Sequence, residues 1–276
     1  MCDRTAARVP GHVTGLFTVD RAATPAETGS RGAGLTLASG VEVRLRPAAE
    51  TTVTLDGTVT TVESVTRVLE ALGVDAAVEI ETELPVGCGF GLSGGMALGT
   101  ALAATEALGL ARTERELVRT AHVADVRAGT GLGDVVAQAR GGIVLRQEAG
   151  APPHVTLDGI PGGSRVEYLS FGELSTPEVL EERSDAISEA GSRALERLAE
   201  TPTRSEFMHA SRQFTRDVGL GTPRVESILA DAEAGGGVAS MAMLGETVFA
   251  LGNPLSEAGY DPAVTRVDPT GARLLE

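Results

Sequence analysis

The sequence predicts an α+β protein, and three observations carry that prediction. Short stretches alternate apolar and polar residues, longer stretches space apolar residues at helical intervals, and the two kinds occur in blocks instead of strict βαβ alternation. At 276 residues the chain exceeds a typical single core, so two domains are expected.

The elements follow in order. "VEVRLRP" (41–47) and "TTVTLDG" (51–57) alternate as half-buried strands. "VESVTRVLEALG" carries Val62, Val65, Val68, Leu69 and Leu72 at helical spacing and stops at Gly73. "AAVEIETELP" (76–85) puts Val78, Ile80, Thr82 and Leu84 on one face and Glu79, Glu81 and Glu83 on the other. Residues 93–110 are apolar enough for a buried helix. A polar-faced helix over 113–128 opens with Thr113 and Glu116, a capping-box pair. "GGIVLRQE" returns as a strand. The Gly- and Pro-rich stretch 149–163 reads as a seam, which divides the chain into 1–150 and 151–276. Beyond it "SRVEYLSFG" predicts a strand, 176–234 three helices, and "GVASMAMLGETVFALG" further strands.

Composition excludes several functions. Asp and Glu number 38 against 23 basic residues, for a net charge of −15, and every basic residue is Arg. An acidic, Lys-free surface suits a protein kept soluble in concentrated salt, a halophilic source, with GC-rich coding bias as the alternative. Nucleic acid is not an expected partner, because its recognition draws on a basic face and aromatic platforms, and aromatics make up 3% with no Trp. No apolar run is long enough to span a membrane and the N-terminus has no signal-peptide core, so a cytoplasmic location is expected. Cys2 and Cys88 are too few for a disulfide framework or multi-Cys metal site.

"PVGCGFGLSGGMALG" (85–99) holds six glycines in fifteen positions. Gly89, Gly91 and Gly94 satisfy GxGxxG, but the preceding strand bears three glutamates on one face, unlike a doubly buried parallel strand, and helix follows helix afterwards. A GxxxxGK[ST] loop fails for want of Lys. What remains is bare backbone running into a helix N-terminus, where free amides and the helix dipole favour phosphate. A tight turn with glycines for close packing is the alternative. Ser93 stands where loop becomes helix, placed to cap it or to ligate a metal. Cys88 has no sequence-local base to make it a nucleophile.

"PVGCGFGLSGGMA" resembles motif 2 of the GHMP kinase superfamily, PxxxGLGSSAA, at Pro85, Gly89, Gly91 and Ser93, and departs from it at Phe90, Leu92, Gly94 and Gly95. "VPGHVTGLF", "GSRGAGLTL", "GFGLSGG", "GTGLGDVVAQARGG" and "MAMLGETVFAL" are similar, in the same order, to the archaeal pantoate kinase branch of that superfamily. The resemblance implies a GHMP kinase fold, a ribosomal protein S5 domain 2-like N-terminal domain followed by a C-terminal α+β domain, with ATP and substrate between them. It implies ATP and Mg²⁺ as cofactors, and pantoate, phosphorylated on its primary hydroxyl for coenzyme A synthesis, as substrate.

On this resemblance Gly87, Gly89, Phe90, Gly91, Leu92, Ser93, Gly94 and Gly95 form the phosphate cradle, and Ser93 and Asp125 ligate Mg²⁺. Asp134, after a glycine turn and upstream of Gly141 and Gly142, is the candidate base, against the alternative of a helix N-cap. His12 takes the place of the Lys or Arg that steadies the phosphoryl group in relatives, against a packing role. Pantoate's carboxylate calls for an Arg fork, and Arg21 and Arg31, with Ser30 adjacent, are the candidates. Surface arginines and a solvated Asp125 are the bland readings. Motif 3 is eroded: Gly235 to Gly237 precede the strand, while Ser240 and Ala242 stand where glycines are expected. A homodimer is expected from small soluble kinases generally. A sibling kinase for homoserine, mevalonate or shikimate, and a non-catalytic nucleotide-binding regulator, are the rival functions.

Overall fold

A computed structural model describes residues 5–173 and 176–275, with the backbone alone over 176–182. Cys2 lies outside the described residues. The elements run β1 (Thr5–Phe17), β2 (Gly32–Pro47), β3 (Thr52–Leu55), β4 (Thr58–Val59), α1 (Glu63–Leu72), β5 (Ala76–Thr82), α2 (Leu92–Leu108), α3 (Glu114–Ala128) and α4 (Asp134–Arg140). They continue through β6 (Ile143–Glu148), β7 (Thr156–Ile160), β8 (Arg165–Glu173), α5 (Thr176–Glu200), α6 (Arg204–Val218) and α7 (Pro223–Ala234). β9 (Ala239–Ala242), β10 (Gly245–Leu251), α8 (Pro254–Glu257), β11 (Ala263–Arg266) and β12 (Arg273–Leu275) complete the chain.

The first sheet runs β12-β1-β2-β5-β3-β4. β2 is long enough to serve two neighbours: Gly32–Leu35 pairs with β6, and Val41–Pro47 pairs with β5. α2 lies directly on β1 and β2, α4 packs beside it on β1, and α1 and α3 pack on α2. Gly99 makes that approach close, since a methyl there would stand 2.6 Å from the Val43 side chain. The alternation read from 76–85 holds: Val78, Ile80 and Leu84 are buried, whereas Glu81 and Glu83 face solvent. Thr113 and Glu116 form the expected capping box on α3, and Gly73 ends α1 in the left-handed region.

The second sheet runs β11-β8-β10-β9, with α6 and α7 packed on it and α5 and α6 packed against β1. Phe214 meets Phe17 edge-on at 5.7 Å between ring centres, and Phe207 meets Phe249 at 6.2 Å, so one apolar core joins the two sheets. Each buried ring contributes about 2–3 kcal/mol of burial.

Two details depart from the sequence reading. Residues 149–163 are not a bare connection, because β7 lies within them and pairs with β6. At the other end β12 returns to pair with β1. Membership of the first sheet therefore extends well past residue 150. β1 has no counterpart in the sequence-read strands: Pro10, Gly11 and Gly15 mask its alternation, and its pairing with β2 shifts register between Pro10 and Gly11.

Candidate active site

The glycine loop crosses from β5 to α2. Gly87, Gly89 and Gly91 all have left-handed φ, at 79°, 84° and 61°, which side chains rarely tolerate. Between and after them Cys88, Phe90 and Leu92 are buried, and Phe90 packs edge-on against Tyr168 at 5.1 Å. Glycine thus alternates with an anchored apolar side chain. No side chain caps α2, whose N-cap is Gly91, so the amides of Leu92, Ser93 and Gly94 have no intrahelical acceptor. Gly95 differs, since its amide already donates to the Gly91 carbonyl at 3.1 Å. Gly94 and Gly95 also make room for α4, because a methyl on either would press on Gln138.

Ser93 lies inside α2 and does not cap it. Its hydroxyl is 3.0 Å from that of Ser64 and 2.7 Å from that of Thr130. Thr130 donates in turn to Asp125 Oδ1 at 2.6 Å, so Ser93, Thr130 and Asp125 form one chain of oxygens. Asp125 is buried, not a solvated helix-face residue. Burial and the charge of Asp134 push its carboxyl up to about 6, against the hydrogen bonds from Thr130 and Ser93.

Asp134 is the first residue of α4. The N-cap is Gly133, so the capping alternative for Asp134 is not what the structure adopts. Its Oδ1 accepts a hydrogen bond from His12 Nδ1 at 2.7 Å, and its side chain keeps 21% exposure. Burial alone would raise its pKa, but the His12 hydrogen bond and the charges of His12 and Arg146 hold it below the usual carboxylate range. His12 moves down, chiefly through burial, which outweighs the pull of Asp134. A neutral imidazole donating to a carboxylate is the resulting pair.

His12 does not reach the open side of this site, contrary to the expected bond to phosphate or substrate. Its side chain is fully buried, Nδ1 is committed to Asp134, and the other edge of the ring lies against Gly34, where a methyl would collide with it. Nε2 has no hydrogen-bond partner. The residue touches the site through Asp134.

The arginine at this site is Arg146 of β6, which the sequence reading missed. It is buried, its Nε and Nη2 donate to the Ser30 carbonyl and hydroxyl at 3.3 and 3.2 Å, and its Nη1 has no partner. Burial lowers its pKa and the nearby Asp134 carboxylate opposes that, so the guanidinium remains the cation beside the acid. Gly133 gives it room, since a methyl there would stand 2.8 Å from Nε. The one signal in the sequence was a charged residue inside the apolar run "GGIVLRQE".

Ser30, expected to bind substrate, is buried and accepts from Arg146. Arg31, next in the chain, keeps 36% of its side chain exposed. Arg31 donates to Asp20 and to Ser192 of α5, each at 3.3 Å, and Arg21 is exposed. His122, also unforeseen, is buried and places Nε2 2.9 Å from the Thr28 carbonyl, tying α3 to the β1–β2 connection. Motif 3 is displaced as well. Met243 to Gly245, at the β9–β10 turn, meet the glycine loop: Met243 N donates to Thr14 O, and a methyl on Gly89 would lie 3.1 Å from Gly245 N. Gly237 instead packs on Pro254, and Ser240 bonds to Thr215.

Comparison with known proteins adds to this geometry. Residues 60–142 match the GHMP kinases N terminal domain. A pantoate kinase from Methanocaldococcus jannaschii is 32% identical over 249 residues, covering 88% of this chain and 90% of that protein. One from Thermococcus kodakarensis is 34% identical over 262 residues, covering 88% and 86%. Among solved structures, a phosphotransferase related to the CoA biosynthesis pathway superposes with a TM-score of 0.89 at 27% identity, covering 98% of each chain. A homoserine kinase from Cytophaga hutchinsonii superposes with a TM-score of 0.66 at 18% identity, covering 100% of this chain and 98% of that one, a likeness of fold.

Proposed function

The chain belongs to the pantoate kinase family of GHMP kinases, and from that premise we propose that it transfers the terminal phosphoryl group of ATP to the primary hydroxyl of pantoate, forming 4-phosphopantoate for coenzyme A synthesis. The observation that carries this reading is a partly open carboxylate, Asp134, held by a buried neutral His12 and kept ionised beside the buried Arg146 guanidinium.

The residues divide the work as follows. Pantoate's carboxylate pairs with the partly exposed Arg31, next to Ser30, while the buried Arg146 holds Ser30 and stands as a fixed cation beside Asp134. That anchor presents the hydroxyl to the exposed side of Asp134, which accepts its proton as the oxygen attacks the terminal phosphorus. His12 donates through Nδ1, so Asp134 stays ionised and oriented. The phosphates rest on the bare backbone of Gly87 to Gly91 and the free amides that begin α2. Residues 1–150 supply the nucleotide side of the cleft and 151–276 the facing side, including the Met243–Gly245 turn.

A Mg²⁺ ion fits the Ser93–Thr130–Asp125 chain, where a buried acid resists ionising until a cation arrives. Among the described residues no three His, Cys, Asp or Glu side chains are grouped to hold a metal, so Ser93 and Asp125 would be joined by phosphate and water oxygens. Bound there, the ion would neutralise phosphate charge. No helix among the described residues is long and apolar enough to cross a membrane, in keeping with a cytoplasmic enzyme. The acidic, Lys-free surface supports a halophilic archaeal source, and a homodimer is the assembly we propose.

An ADP-release assay across pantoate, homoserine, mevalonate and shikimate tests the assignment. Turnover is expected with pantoate. Homoserine turnover with none on pantoate would reject it, and ATP binding without turnover on any alcohol would favour a regulator.

A further inference from the structure

A cavity lies between α1, α3 and the β1–β2 connection. It has a volume of about 360 Å³ and is lined by Thr24 and Pro25 of the β1–β2 connection, Arg67 of α1, and Arg119, Thr120 and Arg127 of α3, among others. No acidic side chain lines it, although acids outnumber bases 38 to 23 in the chain. Arg67 is held by Glu63 at 2.9 Å. Arg119 and Arg127 make no hydrogen bond or ion pair among the described residues.

Two guanidinium groups without a partner among the described residues, Arg119 and Arg127, face a hollow that no acidic side chain lines, with the Glu63-paired Arg67 beside them. Arg forks match the oxygens of phosphate. The volume suits a small molecule, not a protein segment. The cavity and the candidate active site share helix α3. Thr120 and Ala124 line it, while His122 and Asp125 on the same helix are buried toward the catalytic cluster. Pro25 lines it too, in the same β1–β2 connection whose Thr28 carbonyl meets His122 Nε2.

We propose that this cavity is a regulatory site for a small phosphate-bearing metabolite, distinct from the catalytic cleft and coupled to it through α3 and the β1–β2 connection. An occupant bridging Arg67 to Arg119 and Arg127 would fix α1 and α3 relative to the connection that holds His122. The site does not depend on which alcohol the enzyme phosphorylates.

Inorganic pyrophosphate is the probe, titrated calorimetrically into enzyme saturated with ATP at constant free Mg²⁺. The expected result is a binding event that Arg119→Ala/Arg127→Ala weakens at least tenfold. At saturating ATP and pantoate, pyrophosphate should change kcat twofold or more in the wild type and not in the double variant, whose basal kcat is unchanged. Absence of binding, equal binding by the double variant, or binding with no effect on kcat would overturn the proposal. The calorimetric readout stands even if pantoate proves to be the wrong substrate.

Discussion

His12 Nδ1 and Asp134 Oδ1, 122 residues apart in the chain, lie 2.7 Å from each other, and the histidine is the buried member of the pair. The arrangement makes His12 a positioning residue. Without it, burial of Asp134 would be opposed only by Arg146 and its own backbone, and the carboxyl would titrate higher. His12→Ala should therefore lower kcat about tenfold or more and move the acid limb of its pH profile upward, with little change in KM for ATP. An unshifted acid limb would show that the hydrogen bond does not tune the base.

Asp134→Asn keeps the shape and the His12 contact but cannot accept a proton. Loss of a general base predicts a fall in kcat of about 10²- to 10⁴-fold with the fold retained. Turnover and a thermal melt measured on the same preparation check it, and unchanged turnover would remove Asp134 from the mechanism.

Local patterns made much of this legible. Thr113 and Glu116, Gly73 and the run of glycines each act through neighbours in the chain, so their geometry follows from spacing. Asp134 stood out only through the family resemblance, since its glycine turn alone fits an N-cap as well. Arg146 did not stand out, because alternation in "IVLRQE" cannot tell a buried guanidinium from one at a strand end, and its partner Ser30 lies 116 residues away. The same long-range dependence hid the role of His12 and the approach of Gly245 to the glycine loop.

Arg31→Lys retains a charge but not the planar fork that matches both oxygens of a carboxylate. KM for pantoate should rise about tenfold or more, as expected for the loss of about 1.4 kcal/mol or more of binding, while KM for ATP stays near wild type. Equal effects on both substrates would count against a carboxylate anchor.

Gly89 has left-handed φ and faces the backbone of Gly245 and Met243. Gly89→Ala should destabilise the protein by about 1–3 kcal/mol and raise KM for ATP more than KM for pantoate, because strain enters at the nucleotide loop. Kinetics and denaturant melts separate the two effects. If stability falls with no change in KM for ATP, the loop is a packing device only.

Asp125 gives a pH test with a definite sign. Its folded-state pKa is raised to about 6, so between its ordinary value and about 6 the native state binds more protons than the unfolded chain. Above that window the ionised, buried carboxylate destabilises the metal-free protein, by about 1–3 kcal/mol at about pH 8. Asp125→Asn still accepts from Thr130 but carries no charge. The variant should melt higher than wild type at about pH 8 without metal, and the gap should close as pH falls through about 6 toward 4. Adding Mg²⁺ should stabilise wild type more than the variant, since only the carboxylate offers a charged ligand. A melting difference constant across that pH range would show that Asp125 is not the group whose ionisation the fold resists.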